Sequence, residues 1–309
     1  MTSFEIKAHA RRLGFDAVGI APAAAHPELA FFREWLSRGY AADMAYLHRT
    51  VDRRADVRNV LPSARSVIVT ATVYNTDRPY SVECSDAMRA QIARYAWGDD
   101  YHDVIGRRLE ALMSWMRDAS PEPFDALAYV DTGPVQERVY AQYGGIGWIG
   151  KNTCVINPAL GSWIFLAEVI CSLPLDPDVR ALDQCGTCTL CIEACPTQAL
   201  APGVLDSNKC ISYLTIERRG DLTEIERRAI GSHVYGCDIC QEVCPWNGFA
   251  PRSNDSAWQP RPMWDGPRLL ELAVAADDQL QASLSGSAMR RTKMAGLRRN
   301  VEAALQNAR

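Results

Sequence analysis

The segment "CGTCTLCIEACP" (185–196), followed by a lone Cys210 and then "CDICQEVCP" (237–245), holds eight of the chain's 11 cysteines. Cys185, Cys188, Cys191 and Cys195 follow the bacterial ferredoxin spacing. In that spacing three close thiolates wrap one face of a [4Fe–4S] cube, and the cysteine before proline ligates the other cluster. Cys237, Cys240 and Cys244 form a block one cysteine short, and Cys210 supplies the missing thiolate. Crossing the pre-proline cysteines assigns Cys185, Cys188, Cys191 and Cys244 to one cluster. Cys195, Cys210, Cys237 and Cys240 then hold the second, and no thiolate is left over.

Other uses of these cysteines fit less well. Structural zinc takes paired C-x2-C knuckles and has no place for the third close cysteine, Cys191. Disulfides need an oxidising compartment, and the amino terminus shows no export segment. A radical-SAM cluster needs C-x3-C-x2-C, but Gln198 and Asn247 stand where its third cysteine would fall. Cys84, Cys154 and Cys171 read as small buried hydrophobes.

At 309 residues the chain can bury more than one core. No apolar run of about 18 residues is present, so no membrane span is expected. The first residues, "MTSFEIKAHARRLGFDAVG", read as an amphipathic helix with a Thr2-x-x-Glu5 capping box. Arg11-Arg12 has the form of a twin-arginine signal, but Asp16 follows where an apolar stretch should start. A cytoplasmic location is expected, which suits thiolate-held clusters. The net charge of -4 excludes a generally basic nucleic-acid binder, so any such contact must come from local patches.

"FDAVGIAPA" (15–23), "SVIVTATVY" (66–74) and "ALAYVD" (126–131) read as buried strands, with helices over 26–38, 86–95 and 101–118. "NTCVINPALGSWIFLAEVICSL" (152–173) reads as two strands around an Asn-Pro…Gly turn. Residues 1–175 are expected to form an α/β or α+β domain, and 176–250 a small helical domain around the clusters. A tail over 251–309 has helical segments at 267–276 and about 287–306.

"GGIGWIGKN" (144–152) contains G-x-G-x-x-G, but a helical pattern precedes it and a strand follows, the reverse of a dinucleotide fingerprint. It is also no phosphate loop, because Asn152 stands where Ser or Thr must hold magnesium. What survives is a tight loop that lets a planar or bulky group approach the backbone. Asp131 closes a strand before "TGPVQER", a helix start with Pro134 in its first turn. As a helix cap Asp131 is structural; as a carboxyl at a strand's end facing a cleft it can deliver a proton. Arg49, Arg53, Arg54 and Arg58 are either a solvated face or an anion-binding loop.

Long ordered stretches carry a resemblance over nearly the whole chain. They are "RRADVRNVLPSARSVI", "ARYAWGDDYH", "VDTGPVQER", "GIGWIGKNTCVINPALGSWIFL", "SYLTIERRG", "YGCDICQEVCPWN", "GSAMRRTKMAGLRRN" and the cysteine blocks. The sequence resembles the epoxyqueuosine reductases. That resemblance implies a cobalamin-dependent iron–sulfur enzyme that reduces epoxyqueuosine to queuosine at the wobble position of tRNA. It also implies a nitroreductase-like cobalamin domain joined to a ferredoxin-like domain with two [4Fe–4S] clusters, fed by an external low-potential electron donor.

By the same resemblance Asp131 is the proton donor, with a pKa raised by burial beside the corrin. Arg54, Arg94, Asn152, Thr153, Val155, Asn157, Leu166 and Ser212 fall at cobalamin-contact positions. Ser212, Arg219 and the basic helix with Arg291 and Arg298 fall at tRNA-contact positions. The resemblance runs to Arg309, short of the helical repeats into which some members continue, and Gln136 stands where apolar residues are common. Two other classes share features: reductive dehalogenases carry cobalamin and two clusters behind export signals, and a ferredoxin-type electron carrier would leave residues 1–175 without a role.

Overall fold

The computed structural model describes residues 1–308. Strands β1 (Ala17–Pro22), β2 (Ser66–Val73), β3 (Ala126–Tyr129) and β4 (Ile164–Cys171) form one sheet in the order β1–β2–β4–β3. Every pairing in it is antiparallel, so the domain is α+β. All of β2 is buried, which explains its unbroken run of Val, Ile, Ala and Thr.

Helices cover both faces of the sheet. On one, Ile68, Phe165, Ala167 and Val169 meet Ile6 and Ala10 of α1 (Ser3–Arg12) with Leu109, Leu112 and Met116 of α3 (Tyr101–Ala119). On the other, Val67, Val69, Ala71 and Ile170 meet Leu29 of α2 (Pro27–Ser37) and Val139 and Tyr140 of α4 (Glu137–Tyr143). The expected capping box is present: Thr2 Oγ1 accepts from the Glu5 amide and Glu5 returns a carboxylate to the Thr2 amide.

Two expectations change. Residues 86–95 are not helical: Gln91–Ile92 pairs in parallel with His233–Tyr235, and Arg94–Ala96 makes a single 3-10 turn. Ala90, Ile92 and Ala93 are all buried there, so tertiary pairing overrides the local pattern. Val155–Ile156 pairs with Trp148–Ile149 and not with β4. The turn after it is the expected one, with Asn157 Oδ1 accepting from the amides of Ala159 and Leu160 at 2.8 and 2.9 Å.

The tail holds α5 (Leu269–Val274) and α7 (Lys293–Asn307) with an unexpected α6 (Asp277–Leu284) between them. In α6 only Leu280 and Leu284 are buried, a stripe too thin to be read from sequence. The tail packs on the pairing of Gln91–Ile92 with His233–Tyr235: Val234, Tyr235 and Ile92 share one core with Leu269, Leu280, Leu297 and Val301. Of the residues assigned to the tail, Arg309 lies outside those described.

Candidate functional site

β3 ends two residues before Asp131, whose φ of 57° places a non-glycine residue in the left-handed region. The Asp131 amide donates to Glu137 Oε1 at 2.7 Å. Helix α4 begins only at Glu137, with Gln136 as its N-cap residue and no side-chain cap. Asp131 is therefore not the helix cap, and Pro134 lies before the first turn. Gln136, the departure from family pattern, donates to the carbonyls of Leu29 (3.1 Å) and Arg54 (2.8 Å), tying the start of α4 to α2 and to the turn over Val51–Ala55.

A chain of charges runs to Asp131. Arg290 lies 3.1 Å from Oδ2 of buried Asp100; Asp100 Oδ1 lies 2.6 Å from His102 Nδ1; His102 Nε2 lies 3.5 Å from Asp131 Oδ2. Asp100 also caps α3, accepting from the His102 amide. Burial works against protonated His102, but the Asp100 hydrogen bond and the charges of Asp100 and Asp131 outweigh it and lift its pKa to about 9.

The effect on Asp131 is opposite. Burial pushes its carboxyl up, yet the nearby His102 charge, with Tyr101 and Arg138, holds it below the ordinary carboxylate value. The expected upward shift is corrected: of the pair, it is His102 whose hold on a proton is strengthened and Asp131 whose hold is weakened. The Asp131 side chain is still 60% exposed, so its carboxylate meets solvent while protein groups surround its base. Behind it, burial and the Asp131 charge raise Glu137 to about 7, and burial and Glu137 raise Glu168 far above the carboxylate range.

The residues expected at the cobalamin site divide. Arg54 turns inward, its guanidinium donating to the Val135 carbonyl (2.7 Å) and Thr50 Oγ1 (3.0 Å), and it senses Glu137, Asp131 and Glu168 electrostatically. Arg49 and Arg53 are exposed and Arg58 pairs with Asp56, so the four arginines form no joint anion loop. Thr153 has a φ of 65° and receives Arg138 Nη1 at its carbonyl (3.0 Å) and hydroxyl (3.3 Å). Leu166 is half-buried on the sheet face that also carries Glu168.

Others are spent inside the protein. Arg94 is 2% exposed, its Nη groups donate to Thr76, Arg78 and Pro79, it lies 4.6 Å from the Trp97 ring centroid, and its Nε has no partner. Asn152 and Val155 are buried, and the Asn152 amide donates to the Cys240 carbonyl at 3.1 Å. Asn157 makes the turn described above. Ser212 reaches the Cys210 thiol. The glycine loop is closed by the chain itself: a Cβ on Gly147 would meet the Ile156 carbonyl at 2.2 Å, so those glycines admit a strand and not a ligand.

Cys185, Cys188, Cys191 and Cys244 line one pocket with Lys151, Asn152, Ile156, Pro245 and Trp246. Cys210 lies within electrostatic reach of Cys195, Cys237 of Cys210, and Cys240 of both Cys210 and Cys237. No three candidate ligands among the described residues close on a point suited to one metal ion. Thiols set around a pocket fit a multi-iron cluster instead. Lys151 Nζ donates to the Gly186 and Cys188 carbonyls, and Trp148 Nε1 lies 3.4 Å from Cys185 Sγ. Cys154 is half-buried and neighbours the Cys240 thiol.

Arg219 donates to the carbonyls of Arg291 (3.0 Å) and Thr292 (3.3 Å), so two expected tRNA contacts lie side by side. Arg291 pairs with Glu217 and stands 5.6 Å over the Tyr46 ring, whose hydroxyl senses Asp131. Arg298 points elsewhere, to the carbonyls of Leu272, Ala273 and Ala275 and to Asp277, capping α5.

The sequence reading missed Tyr101, His102, Glu137, Arg138, Cys154 and Glu168. Only Glu168 left a clear signal, a lone charge inside the apolar run "IFLAEVIC".

Residues 54–132 match the family model for epoxyqueuosine reductase QueG, and residues 184–247 match that for a 4Fe-4S double cluster binding domain. An epoxyqueuosine reductase of Gloeobacter violaceus is 45% identical over 98% of this chain and 96% of its own length. One of Synechocystis sp. is 44% identical over 89% and 94%. A crystal structure of an epoxyqueuosine reductase with an epoxyqueuosine-modified tRNA-Tyr stem loop superposes with a TM-score of 0.88 at 30% identity, covering 99% of this chain and 81% of that one. No helix among the described residues is long and apolar enough to cross a membrane. With such likeness along almost its entire length, the chain belongs to the epoxyqueuosine reductase family.

Proposed function

We propose that this chain reduces epoxyqueuosine in tRNA to queuosine, with Asp131 delivering the proton that makes the epoxide oxygen a leaving group. The observation that carries this reading is the exposed Asp131 carboxylate 3.5 Å from His102, an imidazole that Asp100 and Asp131 hold protonated past neutrality, with a pKa of about 9. Converting the epoxide to an alkene breaks two C–O bonds, consumes two electrons and two protons, and releases water. At neutral pH the imidazolium of His102 stores one proton beside Asp131, which passes it to the oxygen. Tyr101 and Arg138 hold the Asp131 carboxylate between deliveries.

The family implies cobalamin and two [4Fe–4S] clusters. Two sets of four thiols suit the clusters, and the half-buried Arg54, Thr153 and Leu166 with the exposed Asp131 are the residues that would hold the cobalamin. When bound, these groups supply a strongly nucleophilic low-valent cobalt and electrons delivered one at a time. Residues 1–175 then hold cobalamin and the acid, 176–250 carry electrons, and 251–309 with Arg219 and Arg291 meet the tRNA. An external low-potential donor reduces the clusters, in the cytoplasm where thiolate ligands persist.

The test is to give anaerobically reconstituted protein, cobalamin and a reductant to tRNA from cells lacking the enzyme. Nucleoside mass spectrometry should show loss of one oxygen from epoxyqueuosine. Unchanged epoxyqueuosine, with both clusters present and reducible, refutes the assignment.

A further inference from the structure

Glu137 holds the Asp131 turn, and Glu168 stands behind Glu137. Glu168 lies midway along β4, opposite Val69 of β2 and Tyr129 of β3, and is 0% exposed. Neither of its oxygens receives an N–H or O–H from the protein. Its side-chain partner is the Glu137 carboxyl, an acceptor already engaged by the Asp131 amide at 2.7 Å.

A bare carboxylate at this position would be a buried charge facing another carboxylate, without a donor. A neutral carboxylic acid has one O–H to give, and Glu137 can receive it. The charged groups around the pair are few. Arg54 acts from the turn over Val51–Ala55, but two of its donors are used by Thr50 and Val135. Arg138 acts on Glu137 from α4, Asp131 acts from its own turn, Tyr129 stands on β3, and β2 presents only Val69. Burial, then the Glu137 charge and hydrogen bond, prevail over Arg54 and keep the proton on Glu168.

We propose that Glu168 is a positioning residue: as a neutral acid it donates to Glu137, fixes Glu137 as acceptor for the Asp131 amide, and so latches the acid turn in its left-handed conformation. Ionising Glu168 sets two carboxylates against each other and releases the turn. The inference rests on the proposed function only for the role given to Asp131.

The test uses the full-length protein and two variants. Glu168→Gln keeps a donor of the same shape, and Glu168→Leu fills the strand position without one. Infrared spectra should show a protonated-carboxyl C=O stretch in the parent that Glu168→Gln lacks. Amide hydrogen exchange of the peptide spanning Val130–Gln136 should quicken about tenfold in Glu168→Leu, the effect of one lost charge-assisted hydrogen bond, and return close to the parent rate in Glu168→Gln. At alkaline pH the parent should exchange faster than Glu168→Gln at the same pH, since glutamine cannot ionise. This comparison stands even if Glu168→Leu does not fold.

No protonated-carboxyl band in the parent, or equal exchange in parent and variants at every pH, overturns the latch. A band and an exchange pattern as expected, without deoxygenation of tRNA, keeps the latch and refutes the reaction assigned above.

Discussion

Asp131 Oδ2 faces His102 Nε2 at 3.5 Å, and the other nitrogen of the same imidazole meets Asp100 at 2.6 Å. One ring is thus held between two carboxylates, and its proton is retained well past neutrality.

This gives a pH dependence with a definite sign. His102 is raised from 6.5 to about 9, so its proton is present through neutrality and is lost as pH rises through about 9. Single-turnover deoxygenation should be flat near neutral pH and fall on the alkaline side around that value. His102→Gln should lower the plateau by roughly 10²-fold and remove that limb. An unaltered profile in His102→Gln would exclude storage of the proton on this ring.

Asp131→Asn should lower turnover by roughly 10²–10⁴-fold while leaving iron content and the visible spectrum unchanged. Asparagine adopts the left-handed backbone as readily as aspartate, so the turn at φ 57° should persist. Turnover equal to the parent's would leave the residue a structural part of its turn.

Why Asp131 was legible and His102 was not follows from what each position displays. Asp131 follows an apolar strand, where a carboxyl stands out, whereas "GDDYHD" (98–103) shows three carboxylates and no hint which one meets the ring. The cluster cysteines were legible because thiolate spacing is itself the signal. Arg94 shows the converse: in sequence an arginine looks available to a ligand, and only packing shows its Nη donors used by Thr76, Arg78 and Pro79 against a tryptophan face, with Nε left unpartnered. The 86–95 segment was read as helix because its partner strand, His233–Tyr235, lies some 140 positions away, beyond any local pattern.

The crossed ligation can be decided by paired substitutions. Cys191→Ala with Cys244→Ala removes ligands from a single pocket, so reconstituted protein should keep about four of its roughly eight irons. Cys195→Ala with Cys244→Ala takes one ligand from each set and should disturb both clusters, giving less iron than the first pair. Equally low iron in the two pairs would mean that each cysteine block ligates its own cluster, since both pairs then take one ligand from each.

Arg291 and Arg298, seven residues apart in sequence, should separate in function. Arg291 is 52% exposed beside Arg219 and over Tyr46, where a phosphate can replace Glu217 as its partner. Arg298 gives its donors to three carbonyls of the segment closing α5 and to Asp277. A phosphate contact releases counterions, so Arg291→Ala should weaken tRNA binding and flatten its salt dependence between 50 and 200 mM by nearly one unit. Arg298→Ala should leave that slope in place and instead cost about 1–2 kcal/mol in urea unfolding, because helix-end carbonyls lose their donor. If Arg298→Ala flattened the slope and Arg291→Ala did not, the tRNA would lie along α7 and not across the Arg219–Arg291 contact.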